Sequence, residues 1–250
     1  MPIIIKTPAQ IEGIRKSCQL AARALDFVQP YVVPGVTTEY LDSLIANFTA
    51  ENGALSAPLH YKGYPKSCCI SLNEVICHGI PGPRILKEGD IVNIDVTTIL
   101  NGFFGDTSRM FAVGEISKDA EKLLSVARSC LDIGIAQVHP GSHLSNIGYA
   151  ITEYATEHGC SVVFEFCAHG TGLAFHEPPT ICHREFKRGR GPQLKPGMIF
   201  TVEPMINLGA ADAIVDTSDG WTALTKDGSL SAQYEHTVLV ATNGVEILTQ

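Results

Sequence analysis

The spacing of apolar residues changes period several times along the chain. Over residues 8–29 they recur at Ile11, Ile14, Leu20, Ala21, Ala24 and Leu25, which predicts one face of a helix. Pro8 suits its first turn and Thr7 its cap. Pro34-Gly35 turns the chain, and Thr37 and Thr38 offer caps for a second helix through Leu41, Leu44, Ile45 and Phe48, ending near Gly53. Residues 55–66, with Pro58, Gly63 and Pro65, read as loop, and Ser67 to Cys77 as strand and turn. From Ile91 the chain turns β-forming: Ile91, Val92, Ile94, Val96, Thr97, Thr98 and Ile99. Asn101-Gly102 then suits the two positive-φ positions of a type I′ hairpin turn. That loop pairs Leu100 with Phe103, Ile99 with Phe104, Thr98 with Gly105 and Thr97 with Asp106. A helix follows over roughly 117–137, a turn at Pro140-Gly141, and a helix through Leu144, Ile147 and Ile151 to Gly159. Val162 to Phe164 is strand-like, Val202-Glu203-Pro204 closes a strand, and Ser231 to Val238 reads as a last strand with Glu235 inside it.

The order helix, turn, helix, strand thus occurs twice. At an offset of 106 residues, Leu25, Pro34, Gly35, Ile45 and Gly53 meet Leu131, Pro140, Gly141, Ile151 and Gly159. At 108, Leu86-Lys87-x-Gly89 meets Leu194-Lys195-x-Gly197, Ile91 meets Ile199, and Asp95 falls on Glu203. Two half-repeats, roughly 8–112 and 117–242, predict one closed α+β domain over 1–250 with a site between pseudo-symmetric halves.

Asp95 and Asp106 share a face of the hairpin, because Asp95 lies two residues before Thr97. Diagonal neighbours of this kind sit roughly 7–8 Å apart. Asp95 also interrupts an apolar strand, where an unpaired charge is costly to bury. The hairpin alone leaves two partners open, a cation or an Arg or Lys side chain. The second half adds His169 and His176 in a Gly-rich apolar stretch, then Glu203 and Glu235. Such an oxygen-rich set with an imidazole suits Mn, Fe(II), Co or Zn. Gly170-x-Gly172 lacks the third Gly of a dinucleotide motif, and neither Gly-x-Ser-x-Gly nor His-Glu-x-x-His occurs.

Composition narrows the partners. The 250 residues carry a net charge of −8, which disfavours direct nucleic-acid binding through a basic surface. The basic run Arg184 to Arg190 is Gly-rich and reads as a solvated loop. No stretch reaches the length of a membrane span, and the N-terminus lacks a signal-peptide layout. Eight Cys without a CxxC pair suit free thiols in a reducing cytoplasm.

At these residues the chain resembles the type I methionine aminopeptidases. The resemblance runs almost end to end, through Tyr64-Pro-Lys-Ser-Cys-Cys-Ile-Ser, Asn73-Glu-Val-Ile-Cys-His78-Gly-Ile-Pro, Gly89-Asp-Ile-Val-Asn-Ile-Asp95-Val, Gly105-Asp106-Thr-Ser, His169-Gly, Phe175-His176-Glu-Pro-Pro, Lys195-Pro-Gly-Met, Val202-Glu203-Pro-Met and Ser229-Leu-Ser-Ala-Gln-Tyr-Glu235-His-Thr. It implies the pita-bread fold around a dinuclear site, with two divalent ions (Mn, Co, Fe(II) or Zn). It implies Asp95, Asp106, His169, Glu203 and Glu235 as metal ligands, Asp106 and Glu235 bridging. Glu203 would also handle the proton of the attacking water, and His78 and His176 would contact substrate. Tyr61, Tyr64, Cys69, Phe175 and Trp221 match the pocket for a methionine side chain. The implied activity removes initiator methionine from nascent polypeptides by metal-activated hydroxide attack, in the cytoplasm, as a monomer with transient ribosome contact. Departures from the family pattern are Pro58 for a Cys, Lys62 for a His, and Ala168 and Thr171 beside His169. Lys62, in the substrate-binding loop, is expected to point away from the metals. Two other readings remain: an Xaa-Pro aminopeptidase or prolidase of the same fold, and an inactive peptide-binding module.

Overall fold

The computed structural model describes residues 2–250. Helix α1 spans Pro8–Val28; Thr7 accepts from the Gln10 N–H, and the Gln10 side chain accepts from the Thr7 N–H. A 3-10 turn, Gln29–Tyr31, ends it. Thr37 caps α2, Thr38–Glu51. Strands β1 (Leu55–Ser56), β2 (Cys69–Leu72), β3 (Val75–Cys77), β4 (Ile91–Leu100) and β5 (Phe103–Ala112) complete the first half. The second half opens with α3 (Lys118–Ala136), capped by Ser117, and α4 (Leu144–Glu157). Its strands are β6 (Ser161–Val162), β7 (Ala168–Gly170), β8 (Glu177–Ile181), β9 (Ile199–Val202), β10 (Met205–Asn207), β11 (Ala213–Val215), β12 (Ala223–Thr225), β13 (Ser231–Gln233), β14 (His236–Ala241) and β15 (Gly244–Ile247).

The β4–β5 hairpin has the expected register throughout, from Leu100 opposite Phe103 to Thr97 opposite Asp106. Asn101 and Gly102 take φ of 52° and 82°, the left-handed values of a I′ turn. The expected loop 55–66 is partly ordered: β1 pairs with β4, and Tyr61–Gly63 make a 3-10 turn. Two paired residues are too few for a period of two to show in the sequence. The strand expected at Val162–Phe164 is β6, which stops at Val162.

One expectation needs correction. Ser231 to Val238 is not a single strand: β13 ends at Gln233, β14 begins at His236, and Glu235 sits in the break. Nor is it the last strand, since β15 follows and pairs with β14. The partner chain breaks at the same level. β14 pairs with β9 and β13 with β10, so continuing either register sets Glu203 opposite Glu235 and Pro204 opposite Tyr234. This second-half ribbon corresponds to the β4–β5 hairpin, interrupted where its acids stand. Pro204 cannot donate to a ladder, and its ring disfavours continuing the strand pairing there.

Each half has its own core. Leu25, Ile45, Val92 and Ile94 are buried together in the first, and Leu131, Ile151, Phe200 and Val202 in the second. These are the residues that the two offsets superimpose. Glycine permits the close approach of α1 to β5. A Cβ on Gly105 would lie 2.2 Å from the Cys18 backbone nitrogen. At this point, next to Asp106, helix and strand pack backbone to backbone. Among the described residues no helix is long and apolar enough to cross a membrane.

Gly105→Ala should therefore lower stability by about 1–3 kcal/mol or more, because the obstacle is backbone that no rotamer change relieves. Urea unfolding of variant and parent measures this; equal midpoints would show that α1 tolerates displacement.

Candidate metal centre

Acid side chains of both halves enter one cavity of about 220 Å³. β4 supplies Asp95 and β5 supplies Asp106. Glu203 follows β9, and Glu235 occupies the break between β13 and β14. Asp95, Asp106 and Glu235 each offer an oxygen within 4.8 Å of the others. Asp106, Glu203 and Glu235 are buried.

Reciprocal hydrogen bonds fix the two halves against each other. The Thr107 hydroxyl donates to the Glu235 carbonyl, and the Thr237 hydroxyl to the Asp106 carbonyl, both at 2.7 Å. The Glu235 N–H donates to the Ser108 carbonyl, and Asn93 Nδ2 to the Gln233 carbonyl. The backbone beside each acid is thus held by the opposite half.

Donors satisfy the carboxylates unequally. Thr97 donates to Asp106 Oδ1 at 2.6 Å. Glu203 receives Thr201 at Oε1 and Gln233 at Oε2. No side-chain donor meets the Asp95 or Glu235 carboxylate among the described residues, and no Lys or Arg pairs with any of the four. Burial and mutual repulsion consequently push Asp95 and Glu235 well above the usual carboxylate range. Burial lifts Asp106 to about 7, against the Thr97 hydrogen bond, and Glu203 to about 7, against His169 and its own hydrogen bonds. These groups titrate together.

His169 completes the set. Its Nδ1 lies 3.1 Å from the Gly170 carbonyl, which can only accept, so Nδ1 carries the proton in the neutral ring. Nε2 then directs a lone pair between Asp106 Oδ2 at 3.7 Å and Glu203 Oε1 at 3.6 Å. A lone pair so placed is repelled by the carboxylates, and either a proton on Nε2 or a cation between the groups relieves that repulsion. The donor set fits a divalent metal: oxygen-rich, buried, short of protein cations, with an imidazole whose other nitrogen is anchored.

The remaining expected residues lie around this floor. Tyr61, Lys62, Tyr64, Cys69, His78, Phe175, His176 and Trp221 all line the cavity. Tyr64 is buried, and its single hydroxyl hydrogen lies between the Gly79 carbonyl at 2.9 Å and the Cys68 carbonyl at 3.1 Å. Trp221 meets it edge-on at 5.1 Å, and His78 meets Trp221 at 6.1 Å. His176 packs on His169 at 4.1 Å and on Phe175 at 4.3 Å between centroids. It is exposed at the rim, yet partial burial of the ring and the neighbouring His169 lower its pKa. Burial likewise lowers that of His78. Both imidazoles are therefore neutral at pH 7. Lys62 is exposed, with its ammonium over the Tyr61 ring at 5.3 Å.

Sequence reasoning passed over several neighbours. Thr97 was read as a strand residue opposite Asp106 and not as its donor, and Thr201 and Gln233, which bond Glu203, were not singled out. Neither was His183, whose Nε2 accepts the Glu203 N–H at 3.1 Å. Burial drops His183 to about 3, keeping that nitrogen an acceptor. Alternation could have found it, because Pro179, Ile181 and His183 are buried on one side of β8 and its extension. Phe166, Cys167 and Met205 also line the cavity.

A model described as metallopeptidase family M24 matches residues 12–242. Methionine aminopeptidase A of Synechocystis is 51% identical over 248 residues, covering 99% of this chain and 97% of that protein. Methionine aminopeptidase of Escherichia coli strain K12 is also 51% identical, covering 100% and 94%. The crystal structure of methionine aminopeptidase from Rickettsia prowazekii superposes with a TM-score of 0.98 at 49% identity, covering both chains fully. A prolidase from Pyrococcus horikoshii matches at TM-score 0.78 and 20% identity over 63% of its length, a likeness of fold alone.

The carboxylate shifts predict how stability depends on pH. Asp106 and Glu203 rise from 3.8 and 4.5 to about 7 on folding. Through that window these carboxyl groups bind more protons in the folded metal-free protein than in the unfolded chain, so their contribution to stability falls as pH rises; the lowered His78, His176, His183 and His236 oppose it only up to about pH 6.5, where the free imidazole titrates. Thermal melting of chelated protein should give a lower Tm near pH 7.5 than near pH 6.5, and Mn(II) should raise the Tm near pH 7.5. A metal-free Tm that climbs across this range would contradict the assignment.

Proposed function

The chain belongs to metallopeptidase family M24, and from that membership we infer how its site works. It has the pita-bread fold. Its activity is that of a methionine aminopeptidase, a metal-dependent hydrolase that removes the N-terminal methionine of polypeptides. One observation carries the chemical reading: Asp95, Asp106 and Glu235 offer oxygens within 4.8 Å of each other, on the floor of a cavity walled by Tyr64, Cys69 and Trp221.

Asp95, Asp106, His169, Glu203 and Glu235 would hold the divalent metal, two ions in this reading. When bound, the metals supply Lewis acidity toward water and the scissile carbonyl. The protein does the rest. Glu203, at the edge of the carboxylate floor, would take a proton from attacking water and return it to the leaving amine. Thr201 and Gln233 hold its two oxygens, and His183 holds its backbone. Neutral His176 keeps an N–H to donate to the carbonyl oxygen as charge develops there. His78, also neutral, contacts the substrate main chain. The unbranched, polarizable thioether of methionine suits the pocket of Tyr61, Tyr64, Cys69, Phe175 and Trp221. Exposed Lys62 meets the peptide further from the metals.

Nascent polypeptides are the natural substrates in this reading, encountered by transient contact with the ribosome. Eight unpaired thiols support a cytoplasmic location, and the enzyme works as a monomer. The Xaa-Pro peptidase reading finds only a likeness of fold, at 20–23% identity. The inactive-module reading has no missing ligand to support it.

Chelated protein should lose hydrolysis of Met-Ala and regain it with Mn(II), Co(II) or Fe(II). Reloaded enzyme should cleave Met-Ala, Met-Ser and Met-Gly peptides far faster than Met-Phe, because the second side chain must lie against the carboxylate floor. Equal rates on Met-Ala and Met-Phe would contradict the pocket assignment.

Glu203→Gln should lower kcat by roughly 10²-fold or more, the usual effect of losing a general acid–base group. Metal content is measured alongside; near-normal kcat with metal retained would place the base elsewhere.

A further inference from the structure

Cys167 and Cys182 flank the paired strands β7 and β8. Continuing the register of Ala168 opposite Ile181 by one residue sets them opposite each other, and their Sγ atoms lie 3.4 Å apart. Opposed residues of an antiparallel pair have Cα atoms about 4.5 or 5.5 Å apart. Either value falls within the roughly 4.4–6.8 Å that a disulfide spans, so side-chain rotation is enough to close the bond. The pair is also accessible. Cys182 is exposed and Cys167 partly so, whereas the other six cysteines are buried. Cys68 and Cys69 are adjacent, but consecutive residues of extended chain point to opposite faces, and both are buried.

We propose that Cys167 and Cys182 form a reversible dithiol–disulfide site that sets the activity of the adjoining metal centre. Cys167 lines the catalytic cavity and also the groove outside it, beside His169 and His176. The chain between the two thiols carries His169, Phe175 and His176, so the bond closes a covalent ring around three residues of the site. It turns the Cys167 sulfur toward Cys182 and holds the strand of His169 in place. The oxidant is a low-molecular-weight disulfide such as glutathione disulfide. The exposed Cys182 sulfur attacks one sulfur of this disulfide and releases the first small thiol. Cys167 sulfur then attacks the Cys182 sulfur of the mixed disulfide and releases the second. The protein gives up two electrons and two protons, and the small disulfide takes up both and leaves as two thiols. A solvent-exposed bond of this kind is readily reduced again, as suits a transient redox site in a reducing compartment.

The coupling to activity rests on the peptidase reading above; the crosslink itself does not. The test treats metal-loaded full-length enzyme with glutathione disulfide, alkylates the remaining thiols and maps peptides by mass. A Cys167–Cys182 crosslinked peptide is expected, with a severalfold loss of kcat/KM on Met-Ala-Ser, and dithiothreitol reverses both. Cys182→Ser should keep the activity of untreated enzyme and resist the oxidant. A lasting glutathione adduct on Cys182 beside a free Cys167 would overturn the site. An equal loss of activity in Cys182→Ser, or a crosslinked enzyme of undiminished activity, would overturn the coupling.

Discussion

The structure turns on the repulsion among four carboxylates that share one buried cavity. Oxygens of Asp95, Asp106 and Glu235 come within 4.8 Å of each other. At an effective dielectric of about 20, two full charges so close repel by roughly 3 kcal/mol. Burial adds to this, and the carboxyl groups respond by holding protons to higher pH. An Arg or Lys partner would relieve the strain, but none pairs with these groups among the described residues. The cavity is thus arranged for positive charge from outside the chain. That need makes the lone pair of His169 Nε2, facing two acids, an asset rather than a cost.

Holding such a cluster together takes a scaffold stronger than the repulsion. The scaffold is the doubled half, in which each helix pair packs over its own ribbon of strands, and the ribbons meet at the acids. Thr107 and Thr237 donate across the junction to the carbonyls of Glu235 and Asp106. The two contacts are mirror roles in a pseudo-symmetric pair. The symmetry breaks where function requires it. In the first half Asp95 projects from an unbroken strand, while in the second the ribbon opens at Glu203-Pro204 and Tyr234-Glu235. The longer glutamates therefore enter from strand ends, and Glu203 has both oxygens bonded by Thr201 and Gln233.

Much of this was legible in the sequence, for identifiable reasons. The hairpin register followed from Asn101-Gly102, because a two-residue turn leaves no freedom in the pairing. The caps at Thr7 and Thr37 and the duplicated core residues were readable from local chemistry and spacing. The break at Glu235 was not. Strand propensity runs on through Ser231–Val238, and what interrupts it is the opposed break at Pro204, a contact some thirty residues away. Likewise nothing local marks β1 as a strand, since its pairing with β4 is non-local. The residues that orient Glu203, His183 among them, come from three separate segments and meet only in the fold. The opposition of Cys167 and Cys182 depends on the β7–β8 register, and that ladder shifts between His169 and Gly170.

The most direct test of the central claim is crystallography of Mn(II)-loaded protein with anomalous scattering at the manganese edge. The account predicts two anomalous peaks in the cavity, both within bonding distance of Asp106 and Glu235, one also bound by Asp95 and the other by His169 and Glu203. Peaks confined to the surface, or a cavity without anomalous signal in fully active loaded enzyme, would contradict it.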